Sequence, residues 1–178
     1  FEREGRTYDY GELAEIAAAA EPFRSLVDPD HVSFLNPQDM AAAIKEHCQQ
    51  TGEPVPETDG QLIRCALESL VLKYRRVLEG IEQLTGERVE TIHVVGGGSK
   101  NELLNQFTAN ACGRPVIAGP TEATALGNVL VQARAADDVG SLADIRSVVR
   151  ESSELTAFEP TDHSAWLDTF DRFEKLVG

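Results

Sequence analysis

The chain has 178 residues, enough for one ordinary domain, and it begins with Phe1 rather than methionine, so we expect a piece of a longer protein. The 30 acidic side chains against 16 Lys and Arg give a formal net charge of −14. Nucleic acids and anionic membranes select basic surfaces, so this charge argues against both as partners. No apolar run of the sequence is long enough to span a bilayer.

The three cysteines are an odd set without metal-ligand spacing, which is typical of a reducing compartment and predicts a cytoplasmic chain. Cys48 and Cys65 could pair if their helices pack together, but we expect free, buried thiols. The four histidines are scattered, and we interpret them as structural or solvated; they are His31, His47, His93 and His163.

The N-terminal third is predicted to be helical with irregular connections. An alanine-rich helix ends at about Ala20, because Pro22 cannot continue it. Asn36 and Pro37 have the pattern of a second helix start, an N-cap followed by proline at the first helical position. That helix is predicted to stop near Gly52.

The longest predicted element is a helix that opens with the capping-box spacing of Thr58 and Gln61 and closes at Gly86. Apolar residues recur at intervals of three and four from Ile63 to Leu84. So wide a stripe indicates a helix that lies across a sheet or between other helices. Its basic side chains are predicted to snorkel or to pair with nearby glutamates rather than to bind phosphate. The basic residues are Arg64, Lys73, Arg75 and Arg76, and the glutamates are Glu68, Glu79 and Glu82.

A short apolar run, Ile92–Val95, leads directly into three glycines, Gly96–Gly98. Ser99 and Glu102 have the spacing of a capping box, so a helix is predicted to start there. A strand, glycine turn and helix N-terminus in this order expose backbone N–H groups to a flat or anionic ligand, although a tight turn without a ligand is the alternative. The stretch is neither a dinucleotide fingerprint, which needs glycine at Asn101, nor a P-loop, which needs Gly-Lys-Ser/Thr.

The rest of the chain continues the alternation of helix and strand. A second strand is predicted at Val116–Ile117, a helix from about Thr121 to Ala135, and another helix opened by Ser141. Phe158–Pro160 is predicted to be a loop, followed by a terminal amphipathic helix with one apolar side, formed by Trp166, Phe170 and Phe173. This order predicts a helix-dominated α/β fold with parallel strands. Two strands make a poor sheet, so either the chain is mainly helical or its sheet begins upstream of Phe1.

The run from Val94 to Asn101, with Leu104–Phe107 and Glu122–Asn128, resembles the C-terminal half of the FGGY carbohydrate kinases, members of the sugar kinase, Hsp70 and actin superfamily. The resemblance extends over Tyr8 to Ala135 and is carried most specifically by the runs flanking the glycines, Arg24–Pro29, Asn36–Met40 and Arg64–Leu70. One departure is Cys65, where alanine or serine is usual, and we interpret it as a subfamily trait.

The resemblance implies three regions. Residues 1–57 would be a helical connecting segment and residues 137–178 a helical tail. Residues 58–136 would be a helix-rich, partial RNase H-like core of the actin-like ATPase type with a short parallel sheet, whose first strands lie upstream. We expect the strands at Ile92–Val95 and Val116–Ile117 to be parallel neighbours, with the long helix packed against them.

By the same resemblance, the glycine turn would hold the adenosine end of ATP. Gly97 would let the base or ribose lie against bare backbone, Asn101 would hydrogen-bond to the adenine edge, and three residues would shape the turn, namely Gly96, Gly98 and Ser99. The phosphate-binding segments, most Mg²⁺ contacts, the catalytic base and the sugar contacts would lie outside this chain. No catalytic residue or metal ligand is therefore assigned within it.

The resemblance implies transfer of the γ-phosphoryl group of Mg-ATP to the 1-hydroxyl of L-rhamnulose, with xylulose, fuculose or glycerol as alternative acceptors. A nucleotide-binding or structural module without kinase activity is the alternative from a different class. The 178-residue chain alone is expected to be inactive. It is also expected to associate with itself through the uncovered side of the Val94 strand and the apolar stripe of the long helix.

Overall fold

The computed structural model describes residues 8–178, which fold into seven α-helices and a small three-stranded sheet. The helices are α1 Tyr10–Ala19, α2 Met40–Thr51, α3 Asp59–Thr85, α4 Glu102–Cys112, α5 Ala123–Ala135, α6 Leu142–Ser152 and α7 His163–Val177. The strands are β1 Ile92–Val94, β2 Val116–Ala118 and β3 Thr156–Phe158, and 3₁₀ turns lie at Val32–Phe34 and Gly97–Lys100. None of the described helices has both the length and the apolar character needed to cross a membrane.

The sheet has the strand order β1-β2-β3 and is mixed. β1 and β2 are parallel, with Ile92 opposite Val116 and Val94 opposite Ala118, which confirms the predicted parallel pair. β3 pairs with β2 in antiparallel register, and Phe158 lies opposite Val116. The prediction that Phe158 belongs to a loop is wrong. The strand has three residues and shows no alternation of apolar and polar side chains, so only its distant partner defines it.

The long helix α3 has the predicted ends. The Thr58 hydroxyl accepts a hydrogen bond from the Gln61 N–H at 3.2 Å, and Gly86 ends the helix in the left-handed conformation with φ 71°. The predicted start of α2 at Asn36 and Pro37 is wrong. The Asp39 side chain accepts from the N–H of Ala42 at 3.0 Å, so the helix begins three residues after the proline, whose fixed φ is equally suited to the irregular connection.

The buried face of α3 packs between other helices. Val71 and Leu72 lie in one cluster with Phe107 of α4 and with aromatic residues of α7, which include Trp166, Phe170 and Phe173. A second cluster joins Cys65 of α3 to α2 through Ile44 and Cys48. Neither cluster contains a strand residue among the described residues, so the prediction that α3 packs against the strands is wrong and the alternative, between helices, holds. The terminal helix has its predicted apolar side.

The three cysteines are free and buried, as expected. Burial raises the pKa of the Cys112 thiol to about 12. Cys48 and Cys65 lie in the same cluster, where α2 meets α3. A free thiol in such surroundings behaves as a small apolar side chain, so these residues contribute packing to the helical part of the fold.

The basic side chains of α3 are ion-paired, but only half of them have the expected partners. Arg64 binds Glu68 at 2.7 Å and Arg75 binds Glu79 at 2.8 Å, both across one helical turn. The remaining basic side chains, and Glu82, pair instead with residues outside α3. Their contacts are Lys73 with Asp28 and Asp30, Arg76 with Glu174, and Glu82 with Arg114.

The C-terminal half of α3 carries an uncovered apolar stripe. Val77, Ile81 and Leu84 are 52%, 46% and 90% exposed, and their spacing places them on one side of the helix. β1 forms an edge of the sheet in the described part of the chain, and Val95 beyond it is 54% exposed. These are the surfaces expected from the sequence to be uncovered, and association of copies through them stays a prediction.

His47 is buried beside His31, and this arrangement predicts a pH-dependent stability. The two ring centroids are 4.8 Å apart, and Phe34 covers the same side at 5.2 Å. The His47 side chain is 4% exposed and its Nδ1 has no hydrogen-bond partner among the described residues. Burial, and secondly the charge of His31, lower the pKa of His47, while the carboxylate of Asp28 opposes them.

The unfolded chain therefore binds more protons than the folded chain below the ordinary histidine pKa of about 6.5. We expect the free energy of unfolding to fall as the pH drops below that value, with a slope of at most about 1.4 kcal/mol per pH unit from this residue. Urea unfolding at pH 7.5 and 5.5 measures the effect. His47→Phe should remove most of the difference, and an equal difference in both proteins would contradict the assignment to His47.

Candidate functional site

The glycine turn lies at the carboxyl end of β1, next to the turn that follows β2. Gly96 has a positive φ of 78°, which favours glycine, and donates its N–H to the carbonyl of Pro120 at 3.0 Å. Gly119 donates to the carbonyl of Val94 at 2.8 Å, which joins the two turns. Because β1 and β2 are parallel, both turns are at one edge of the sheet, the edge at which α/β folds bind their ligands.

The backbone of Gly97 and Gly98 is bare. A Cβ atom added to Gly97 would meet no atom within 4 Å, and one added to Gly98 would meet only Val94 Cγ1, at 3.7 Å. Within residues 8–178, the N–H groups of Gly97 and Gly98 donate to no backbone or side-chain acceptor. Two adjacent free donors beside unfilled space can receive an acceptor atom or lie under a flat group.

The glycine turn continues as one 3₁₀ turn, Gly97–Lys100, and Ser99 lies inside it. The Ser99 hydroxyl donates to the Gly96 carbonyl at 2.7 Å and the Ser99 N–H donates to the same oxygen at 3.1 Å. The predicted capping box of Ser99 and Glu102 is therefore wrong. Asn101 is the N-cap of α4, because the 3₁₀ turn ends there and its side chain can reach the next free donor.

Asn101 has one half of its amide engaged by this cap. Its Oδ1 accepts from the N–H of Leu104 at 3.0 Å, and a backbone donor fixes which end of the amide is the oxygen. Among the described residues, the Asn101 NH₂ group has no acceptor. Asn101 can therefore donate hydrogen bonds to a ligand, while its acceptor is in use.

All five residues predicted for the site, Gly96, Gly97, Gly98, Ser99 and Asn101, thus belong to one continuous turn. The structure brings two more residues to this turn that the sequence interpretation missed. Thr121 brings its hydroxyl to 3.4 Å from that of Ser99, and Asn105 donates its side-chain NH₂ to the Ser99 carbonyl at 3.0 Å. The predicted parallel pairing could have located Thr121, since it brings both turns to one edge.

No group of three or more His, Cys, Asp or Glu residues that could hold a metal ion is found in the part of the chain that the structure describes. The backbone of the glycine turn is the part of the chain against which the expected ATP can be compared. The open space at Gly97 and the two free N–H groups fit a nucleoside that lies against a bare turn.

The fold is shared with sugar kinases of known structure. Plasmodium falciparum glycerol kinase, solved with ADP, matches 95% of this chain with a TM-score of 0.68 at 16% identity, over 33% of the kinase. Xylulose kinase from Rhodospirillum rubrum matches 94% of the chain with a TM-score of 0.61 at 20% identity, over 33% of that chain. At these identities the likeness concerns the fold alone, and it agrees with the helix-rich α/β fold predicted from the sequence.

The family model for the C-terminal domain of the FGGY carbohydrate kinases matches residues 1–136. The chain belongs to this family, as the sequence motifs predicted. It is 50% identical to rhamnulokinase of Bacteroides thetaiotaomicron over 168 residues, 94% of the chain and 35% of the relative. It is 41% identical to rhamnulokinase of Klebsiella pneumoniae over 162 residues, 91% of the chain and 33% of the relative. The chain thus spans about a third of the length of these relatives.

Proposed function

We propose that this chain is the ATP-binding C-terminal part of a kinase that phosphorylates L-rhamnulose on its 1-hydroxyl. The observation that carries the proposal is the 50% identity to a rhamnulokinase over 94% of the chain. Identity at this level extends beyond the glycine motif, which all members of the family share, to the helices around it. The proposal includes Mg²⁺ as the companion of ATP and a cytoplasmic location.

The proposed nucleotide site is the turn from Gly96 to Asn101. The base or ribose lies on the bare backbone at Gly97, where a Cβ would otherwise project into unfilled space. The NH₂ group of Asn101 donates to a ring nitrogen of adenine, because its oxygen already caps α4. Ser99 holds the turn closed through its hydrogen bonds to the Gly96 carbonyl. The site thus recognises the adenosine end of ATP and leaves the phosphates to other segments.

The chemistry is phosphoryl transfer, in which ATP and Mg²⁺ supply the transferred group and the neutralising charge. For such a reaction, positioning and electrostatic stabilisation account for most of the catalysis. The contribution of this chain is to orient the nucleotide from its adenosine end. The base that takes the proton of the sugar hydroxyl is assigned to segments other than the described ones, so this chain alone is expected to have no turnover.

A coupled ADP-release assay on the full-length enzyme tests the proposal. With ATP and a panel of L-rhamnulose, xylulose, fuculose and glycerol, we expect the highest kcat/KM for rhamnulose and no turnover by the 178-residue chain assayed in parallel. A preference for another sugar would reassign the substrate within the family. Absence of turnover with every sugar, by a folded enzyme that binds ATP, would favour a non-catalytic nucleotide-binding module.

A further inference from the structure

Asn105 connects the body of α4 to the glycine turn. Its side chain is completely buried, with 0% exposure. The side-chain NH₂ donates to the carbonyl of Ser99 at 3.0 Å, and its backbone N–H donates to the carbonyl of Asn101 at 3.0 Å. Ser99 in turn closes onto Gly96. The buried side-chain amide of Asn105 therefore holds the turn at Ser99, while Gly96, at the start of the turn, is hydrogen-bonded to the turn after β2.

The other half of the Asn105 amide has no partner. Its Oδ1 is buried and accepts no hydrogen bond among the described residues. Reversing the amide would not help, because it would place this oxygen against the Ser99 carbonyl, another acceptor. A buried, unpaired acceptor costs about 1–3 kcal/mol of stability. Leucine has the same branching without this cost, and the neighbouring Leu104 and Phe107 already pack against the core.

Stability therefore does not explain why a buried asparagine, rather than leucine, occupies this position. Native proteins break a local rule of this kind mostly where function requires it. Within residues 8–178, the one hydrogen bond that the Asn105 side chain makes goes to the glycine turn. We propose that Asn105 is a positioning residue that fixes the 3₁₀ turn, so that Gly97 and Gly98 keep the backbone conformation that receives the nucleoside. This inference rests on the proposed nucleotide site.

Asn110 provides a matched control on the same helix. It is also a buried asparagine, 7% exposed, but its Oδ1 accepts from the N–H of Thr161 and from Gln106, both at 2.9 Å. Its side chain therefore holds the connection to α7 and has no hydrogen bond to the glycine turn. Replacing Asn110 should cost stability and spare the site, whereas replacing Asn105 should do the reverse.

The experiment compares Asn105→Leu with Asn110→Leu in the full-length enzyme. For Asn105→Leu we expect a roughly tenfold higher KM for ATP, the equivalent of one lost hydrogen bond, with the KM for the sugar within about twofold. Its melting temperature should stay within about 4 °C of the wild type. Hydrogen exchange of the amides from Gly97 to Asn101 should become faster. Asn110→Leu should lower the melting temperature and leave the ATP KM unchanged.

Unchanged exchange in the turn of Asn105→Leu would overturn the inference, as would faster exchange with an unchanged KM for ATP. A large loss of stability with equal effects on both KM values would reduce Asn105 to a structural residue. If leucine does not fit, Asn105→Ala gives the same contrast. Failure of the nucleotide site itself is recognised separately, because Gly97→Val would then leave the ATP KM unchanged.

Discussion

Replacing Gly97 with valine is expected to raise the KM for ATP by about 10- to 100-fold, the effect of losing a contact worth about 1–3 kcal/mol. The KM for the sugar should stay within about twofold. A Cβ atom added at Gly97 would meet no atom of the described chain within 4 Å, so there is open space where the valine side chain would begin. The same side chain would fill the space proposed for the nucleoside. Steady-state kinetics of the full-length enzyme with each substrate varied in turn measures both constants.

Gly80→Val is the matched control, since a Cβ at Gly80 on α3 also meets nothing within 4 Å. It should change neither constant. An unchanged ATP KM in Gly97→Val would remove Gly97 from the site. A parallel loss of affinity for both substrates, with a lower melting temperature, would show that the substitution disturbs the fold instead.

The features that the sequence predicted well depend on neighbours close in the chain. The capping box of Thr58 and Gln61 acts across three residues, and the glycine at the end of a helix needs only its own left-handed conformation, as at Gly86. The five residues proposed for the site lie close together in the chain, so the sequence could place them in one turn, and their role in binding a nucleotide stays a prediction. The parallel pair of β1 and β2 followed from the helix between them.

The features that were missed depend on contacts between distant segments or on a choice between adjacent caps. β3 is defined by its pairing with β2, about 40 residues earlier, and its own three residues carry no pattern. Ser99 and Asn101 are both good N-caps, and only the 3₁₀ path of the turn selects Asn101. Asn105 belongs to the run Leu104–Phe107 that resembles the family, but the sequence does not indicate its hydrogen bond to Ser99, which depends on the path of the folded turn.

The second large expected effect concerns Arg64, which joins α1 to α3. The guanidinium group is buried, and its Nη1 donates to the carbonyls of three residues at the end of α1, namely Ala17, Ala18 and Ala20, at 3.2, 2.9 and 2.9 Å. Its Nε donates to Glu68 at 2.7 Å. The second oxygen of Glu68 accepts from the N–H of Phe23 at 2.9 Å. The buried pair thus satisfies the end of α1 and the connection after it.

Arg64→Ala is expected to lower the free energy of unfolding by about 3–5 kcal/mol at neutral pH, because it leaves a buried carboxylate and several carbonyls without their donor. Burial already raises the pKa of Glu68, and Arg64 opposes that rise. Without Arg64 the pKa of Glu68 rises further. A carboxyl whose folded pKa exceeds its unfolded value binds more protons in the folded state, so it destabilises the fold increasingly as the pH rises.

The decrease in the free energy of unfolding caused by Arg64→Ala should therefore be smaller at pH 5 than at pH 7. Urea unfolding at the two pH values measures it. Glu79→Ala is the control, since it breaks an ion pair of the same spacing on the same helix, with a glutamate side chain that is 40% exposed. Exposed pairs of this spacing contribute about 0.3–0.5 kcal/mol, and because the Arg75 side chain is only 13% exposed we expect Glu79→Ala to cost somewhat more than that, but less than Arg64→Ala. If Arg64→Ala cost no more than this control, the carbonyls of α1 would have to find other donors. If its cost were equal at both pH values, the expected further rise of the Glu68 pKa on loss of Arg64 would be contradicted.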